Sequence, residues 1–226
     1  MKFTRLLLPL LILLSVNLHA QSSRSADVAL YHYQIHLSDE FQEELFTIQD
    51  VADVITDARE GEPYFLDYIL EPYFHDLQES LEEGTELSLL PFESFAHRNP
   101  YRRVSKRRAI KSVEADYYAK MDLFIRPAFL STDDRAQIGP WEKQVKRIRP
   151  VVVIKLTLFD DDGKKVEKFK TKIRSNERVI LTQETLAGWF RIDEGHDLDD
   201  RHNLNVLDRV VYDAIDDLVV QVDRRL

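Results

Sequence analysis

The chain has 226 residues, 31 basic against 40 acidic side chains and no cysteine. The missing thiols exclude disulfides, thiolate metal sites and a lipid-modified amino-terminal cysteine. A hydrophobic content of 44% over this length is enough to bury a core without covalent staples.

Residues 1–20 read as an export signal. Lys2 and Arg5 precede an apolar run from Leu6 to Val16, and Leu18-His19-Ala20 ends on a small residue. The run is too short to span about 30 Å of hydrocarbon, so it predicts a cleaved leader and no transmembrane anchor after cleavage. Residues 21–226 are then one domain, with an acidic helical segment over 38–84 and a sheet with a terminal helix over 85–226. No Asn stands two residues before Ser or Thr, so there is no glycan acceptor, and a bacterial periplasmic or secreted location fits better than a eukaryotic one.

The charge is segregated along the chain. Gln21 to His97 holds two basic and eighteen acidic residues, Arg98 to Arg149 fourteen basic and six acidic, and Pro150 to Leu226 thirteen and sixteen. Such asymmetry implies either internal pairing of the two regions or a dipolar surface.

Asp27 to Leu37 alternates as a strand, with Tyr31, Tyr33, Ile35 and Leu37 on one face and His32, Gln34 and His36 on the other. Ser38 is placed to cap a helix whose apolar positions Phe41, Leu45, Ile48, Ala52 and Ile55 run toward Gly61. Two nine-residue copies follow, Glu62-Pro63-Tyr64-Phe65 and Glu71-Pro72-Tyr73-Phe74. Proline suits a first helical turn and breaks an interior one, so each copy predicts its own short helix with core-facing aromatics, the second ending at Gly84.

Leu87, Leu89, Leu90 and Phe92 predict a short strand, and Arg103 to Val113 a basic helix with Ile110 and Val113 inward. Ala115 to Pro127 alternates Tyr117, Ala119, Met121, Leu123 and Ile125 against Asp116, Tyr118, Lys120, Asp122 and Phe124, which predicts a strand; Ser131 to Arg149 reads as a polar loop. Val151 to Phe159 and Val166 to Ile173 form a hairpin through Asp162-Gly163. In its second arm Lys168, Lys170, Lys172 and Arg174 share one face, as exposed strands do to resist pairing with other chains. A short helix is expected around Trp189. The chain closes on a helix with Leu204, Leu207, Val211, Ala214, Ile215, Leu218 and Val222 in one stripe and Asp208, Asp213, Asp216 and Asp223 off it.

This order predicts an α+β fold, a mainly antiparallel sheet with helices packed on one face. Leu89-Leu90-Pro91-Phe92, Ala115-Asp116-Tyr117-Tyr118 and the run from Val153 to Asp160 with its Asp-Gly turn, followed by the final helix, resemble the envelope domains typified by the TolB amino-terminal domain and the lipoproteins CsgG and LpoB. The resemblance covers about two thirds of the chain after the leader. It implies a protein-binding or assembly role in the cell envelope, with no cofactor. The chain departs from the lipoprotein members in lacking the anchoring cysteine, and the acidic segment 38–84 has no counterpart in them.

Three sets of residues are candidates for function. His32 and His36 fall on one strand face about 13 Å apart, too far to share a metal. Asp193, His196, Asp197, Asp199 and His202, with Glu194 and Asp200 between them, are the densest set of metal-ligand types, though they do not follow the calcium-loop pattern and also suit a solvated lead into the last helix. Arg98, Arg102, Arg103, Lys106, Arg107, Arg108 and Lys111 put seven cations in fourteen residues, able to hold an anionic partner such as an acidic envelope protein, an anionic envelope polymer or lipid head groups. An exported protein has no nucleic acid to meet. No nucleophile elbow, metalloprotease helix or phosphate loop occurs. The sequence therefore points to a non-enzymatic accessory or binding protein, with a metal-dependent hydrolase using the 193–202 loop as its alternative.

Overall fold

The computed structural model describes residues 25–45, 65–90, 104–129, 147–190 and 205–226. In chain order the elements are β1 (Ala26–Leu37), α1 (Asp39–Leu45), α2 (Phe65–Gly84), β2 (Leu87–Leu90), α3 (Lys106–Ser112), β3 (Tyr117–Phe129), β4 (Arg147–Phe159), β5 (Lys165–Arg174), β6 (Val179–Ile180), α4 (Gln183–Phe190) and α5 (Val206–Asp223). The leader-like residues 1–20, the 193–202 loop and most of the polar stretch after Ser131 lie outside the described residues.

The fold is α+β, as expected. The sheet runs β2-β1-β3-β4-β5, with β6 beside β4. β3, β4, β5 and β6 pair antiparallel, while β1 pairs parallel with both β2 and β3. The Asp-Gly hairpin forms as predicted: Gly163 takes φ 75° and its N–H bonds the Asp160 carbonyl at 2.9 Å.

One face of the sheet carries the main core. Ala119, Met121, Leu123 and Ile125 of β3, Val152, Ile154, Leu156 and Leu158 of β4 and Phe169 of β5 meet α5 through Leu207, Val211, Ala214, Ile215, Leu218 and Val222. The predicted stripe of α5 is thus the surface that roofs the sheet. Tyr73, Phe74, Leu77 and Leu81 of α2 and Trp189 of α4 complete this layer. Where α2 ends, a Cβ on Gly84 would run into Val219 Cγ1, so the close approach of α2 to α5 requires glycine there.

Several local expectations are corrected. The Pro-Tyr-Phe repeat does not open two helices, because α2 runs unbroken from Phe65 through Pro72 to Gly84. An interior proline costs about 3 kcal/mol, and the burial of Tyr73, Phe74, Leu77 and Leu81 just beyond it supplies a larger opposing term. Ser38 does not cap α1 with its hydroxyl, which has no hydrogen-bond partner among the described residues; its carbonyl accepts from Phe41 and Gln42, and Gln42 Nε2 donates to the Leu37 carbonyl. Helix α1 is described only to Leu45, so Ile48 to Gly61 lie outside the described residues.

Tyr31 does not share the face of Tyr33. The register of β1 on β3 slips between Leu30 and His32, so Tyr31 is the extra residue of a β-bulge and the alternation changes phase there. Val28 and Leu30 before the bulge, and Tyr33, Ile35 and Leu37 after it, all reach the main core. Tyr31 joins Ala29, Val104, Ala109 and Tyr118 in a second, small cluster on the opposite face, where α3 packs.

Asp208 is not on the solvent side of α5 but 1% exposed. Its Oδ2 accepts from the Asn205 N–H at 3.0 Å, closing a capping box, and its Oδ1 accepts from Tyr73 Oη at 2.6 Å. A carboxylate can be buried here because both oxygens are bonded.

Candidate functional site

Strand alternation builds two unlike surfaces from one sheet. In β5, Phe169 and Thr171 point into the core, while Lys168, Lys170, Lys172 and Arg174 are exposed on the other face. The register aligns these cations with residues of the same face across the sheet. One row reads His32, Lys120, Thr157, Lys168; the next Gln34, Asp122, Lys155, Lys170; then His36, Phe124, Val153, Lys172; and last Arg126, Val151, Arg174. Among the residues of these rows Asp122 is the one carboxylate.

Its neighbours hold that carboxylate tightly. Asp122 Oδ1 lies 3.3 Å from His32 Nε2 and 3.2 Å from His36 Nε2, and Oδ2 lies 3.2 Å from Lys120 Nζ. Partial burial works to raise the Asp122 pKa, but the hydrogen bonds from His36 and Lys120, with the charges of Lys120 and His32, outweigh it and leave the carboxyl below its ordinary value. Asp122 is therefore ionised and its charge is compensated in place. Beside it His36 stacks on Phe124, 4.3 Å between centroids at 10°, and Lys155 Nζ lies 4.1 Å from the same ring centroid.

The two histidines were expected to stand about 13 Å apart on backbone spacing alone. Side-chain reach overrides that figure, since both rings turn to one oxygen of Asp122. Among the described residues no group of three or more His, Asp or Glu side chains is arranged to hold a metal.

Helix α3 extends this face at the hairpin end. Ser105 caps it, its Oγ accepting from the Arg108 N–H at 3.4 Å. Ala109 is fully buried, and Ile110 and Val113 pack beside it, the inward side expected for this helix. Lys106 is not free for a partner: its Nζ donates to the Gly163 carbonyl at 2.7 Å and lies 4.2 Å from the Phe159 ring centroid. Arg107, Arg108 and Lys111 are exposed. Arg98, Arg102 and Arg103 lie outside the described residues, as do Asp193, His196, Asp197, Asp199 and His202.

The sheet separates this basic face from an acidic one. Glu79 and Glu83 on α2 and Asp213, Asp216 and Asp223 on α5 are exposed on the helical side. For the described residues, the segregated charge of the chain is thus spread over two opposite surfaces. Among the described residues no helix is long and apolar enough to cross a membrane. The sequence motif at 98–111 found the helical part of the basic surface. It did not reveal Lys120, Lys155 and the β5 row as parts of the same surface, because that requires the register of β3, β4 and β5.

No family model matches the chain, and no curated protein matches it. Among solved structures, a Helicobacter pylori protein described as a homolog of a neuraminyllactose-binding hemagglutinin aligns over 90% of this chain and 84% of its own, at 10% identity and a TM-score of 0.42. Lipoprotein GNA1162 from Neisseria meningitidis aligns over 88% of this chain and 99% of its own, at 11% identity and a TM-score of 0.32. Both scores lie below the level that establishes a common fold.

Proposed function

We propose that the protein is a non-catalytic accessory protein of the bacterial envelope, exported by residues 1–20, whose remaining residues form one domain that binds an anionic envelope component. The single observation that carries this reading is the set of exposed cations on one side of the sheet, Lys168, Lys170, Lys172 and Arg174 of β5 with Arg107, Arg108 and Lys111 of α3, while Asp122, the one carboxylate of the sheet rows, is already compensated. Opposite charge attracts such a partner over distances of about 10 Å at moderate salt and raises its local concentration. Exposed arginines on α3 add forked donors that suit carboxylate and phosphate oxygens. The resemblance to TolB-type domains and to CsgG and LpoB fits an assembly or binding role at the same location.

The test is a crosslinking pull-down from envelope extracts with the wild-type chain and a variant carrying Arg107→Glu, Arg108→Glu and Lys111→Glu. These side chains are exposed, so the variant is expected to fold. Loss of the main captured species from the variant supports the reading. Capture of the same species by both proteins overturns it.

A further inference from the structure

We infer that the partner of the basic face is a linear polyanion, a chain with an anionic group on each repeat, lying along β5. This rests on the binding reading above and adds the partner's shape. Lys168, Lys170, Lys172 and Arg174 stand in single file, about 6.7 Å apart over about 20 Å, because alternate residues of a strand share a face. Among the described residues none of the four is in an ion pair. The acidic residue of this stretch, Glu167, lies outside the file and meets Arg225 at 3.6 Å. Lys155 stands beside Lys170 in the next strand and gives the file a second cation at its middle.

Three features select a polymer over other anions. A lone phosphate would touch one or two fully hydrated ammonium groups, each worth little by itself. A chain engages the whole file and gains from releasing a counterion at every contact. A bilayer is flat, whereas adjacent strands rotate by about 20–25°, so the rows of β1 and β5 cannot lie on one plane together. Membrane docking also favours exposed apolar side chains at the contact. The exposed large apolar residues of the described chain are Val166, Ile180, Val220 and Leu226, none of them in the file. The hairpin tip bounds the track at one end: Asp162 pairs with Lys164 at 2.9 Å, and Asp160 Oδ1 accepts from the Lys164 N–H. Beyond the tip the exposed cations of α3 offer a second foothold for a longer chain.

The experiment titrates the full chain with medium-chain linear polyphosphate, with inorganic phosphate, and with vesicles of phosphatidylglycerol in phosphatidylcholine, across a salt series. The proteins are the wild type, Lys168→Gln/Lys170→Gln/Lys172→Gln and the single Lys170→Gln, each checked by circular dichroism. Expected for the wild type is polyphosphate binding at concentrations where inorganic phosphate has no effect. The triple variant should bind at least about tenfold more weakly, with the slope of log K against log salt reduced by about 2, near 0.7 per contact. The single variant should lose about a third of that slope change, so the result survives a misfolded triple variant. Polyphosphate binding that is equal in wild type and variants overturns the inference, as does tight vesicle binding that polyphosphate does not displace. Both outcomes leave the binding reading standing. That reading fails separately, when the α3 charge reversal captures the same envelope species as the wild type.

Discussion

Phe169 and Lys170 are neighbours in one strand and belong to different halves of the molecule. Phe169 is fully buried against α5, while Lys170 stands in the solvent-facing file beside Lys155. One hydrogen-bonded ladder therefore serves two ends. Its α5 face carries most of the apolar burial that holds the fold, and the β5 part of its other face carries exposed cations that add little to stability and are available for recognition.

The sharpest way to break this comparison is to truncate the two neighbours separately. Phe169→Ala should cost about 3–5 kcal/mol by removing a ring and leaving a cavity under α5, whereas Lys170→Ala should stay within about 0.5 kcal/mol. Urea unfolding of both variants measures the difference. Equal losses would mean that the open face is part of the core.

A smaller effect tests the polar clasp within the helical layer. Tyr73→Phe keeps the ring and removes the donor to buried Asp208, so about 1–3 kcal/mol should be lost in the same assay. The matching test at the edge of that layer, Tyr212→Phe, removes the 2.6 Å bond to Asp76 and should cost less, because Asp76 is only partly buried.

These residues also show what could be read from one sequence. Periodicity located β3, β4, β5 and α5 and sorted most of their side chains by face, because each such choice is local. It failed at Tyr31, where one extra residue changes the phase of β1, and at Asp208, where a partner 135 residues away makes burial of a carboxylate tolerable. Pro72 failed for the same reason: the local rule was right about its cost, but contacts distant in sequence outweighed it. The basic helix was legible as a run of cations. The file on β5 was legible too, yet its placement beside α3 and Lys155 depends on sheet order, which composition and spacing do not encode.

On the face opposite α5 stability should depend on pH through Asp122. The Asp122 carboxyl sits below its ordinary pKa, so the ionised form is bound more tightly in the folded state. Its contribution is complete above the unfolded value near 4 and is lost as pH falls through the lower folded value. Asp122→Asn should cost about 1–2 kcal/mol at pH 7, an allowance for bonds to a charged acceptor that is partly open to solvent, and the gap to wild type should close below about pH 4. Denaturation midpoints at pH 3 and pH 7 decide this. A gap that stays constant with pH would place the value of Asp122 in packing alone.

The smallest effect lies at the other end of the pH scale and tests the bulge. Tyr31 is pushed up to about 12 by burial, helped by the negative charge of Asp122. The unfolded phenol ionises near 10, so the folded state retains its proton over a range in which the unfolded chain has lost it. The sign follows: the stability supplied by neutral Tyr31 is whole below pH 10 and declines as pH rises toward 12. Tyr31→Phe keeps the tilted contact with Phe159, at 6.3 Å between centroids, and removes the titrating group. Wild type and variant should therefore differ little near neutrality and diverge above pH 10, the wild type losing about 1 kcal/mol more by pH 11. All other tyrosines are common to both proteins and cancel in the difference. Parallel alkaline profiles would show that Tyr31 ionises as freely as in the unfolded chain, and hence that the bulge does not hold it under α3 in the small cluster of the open face.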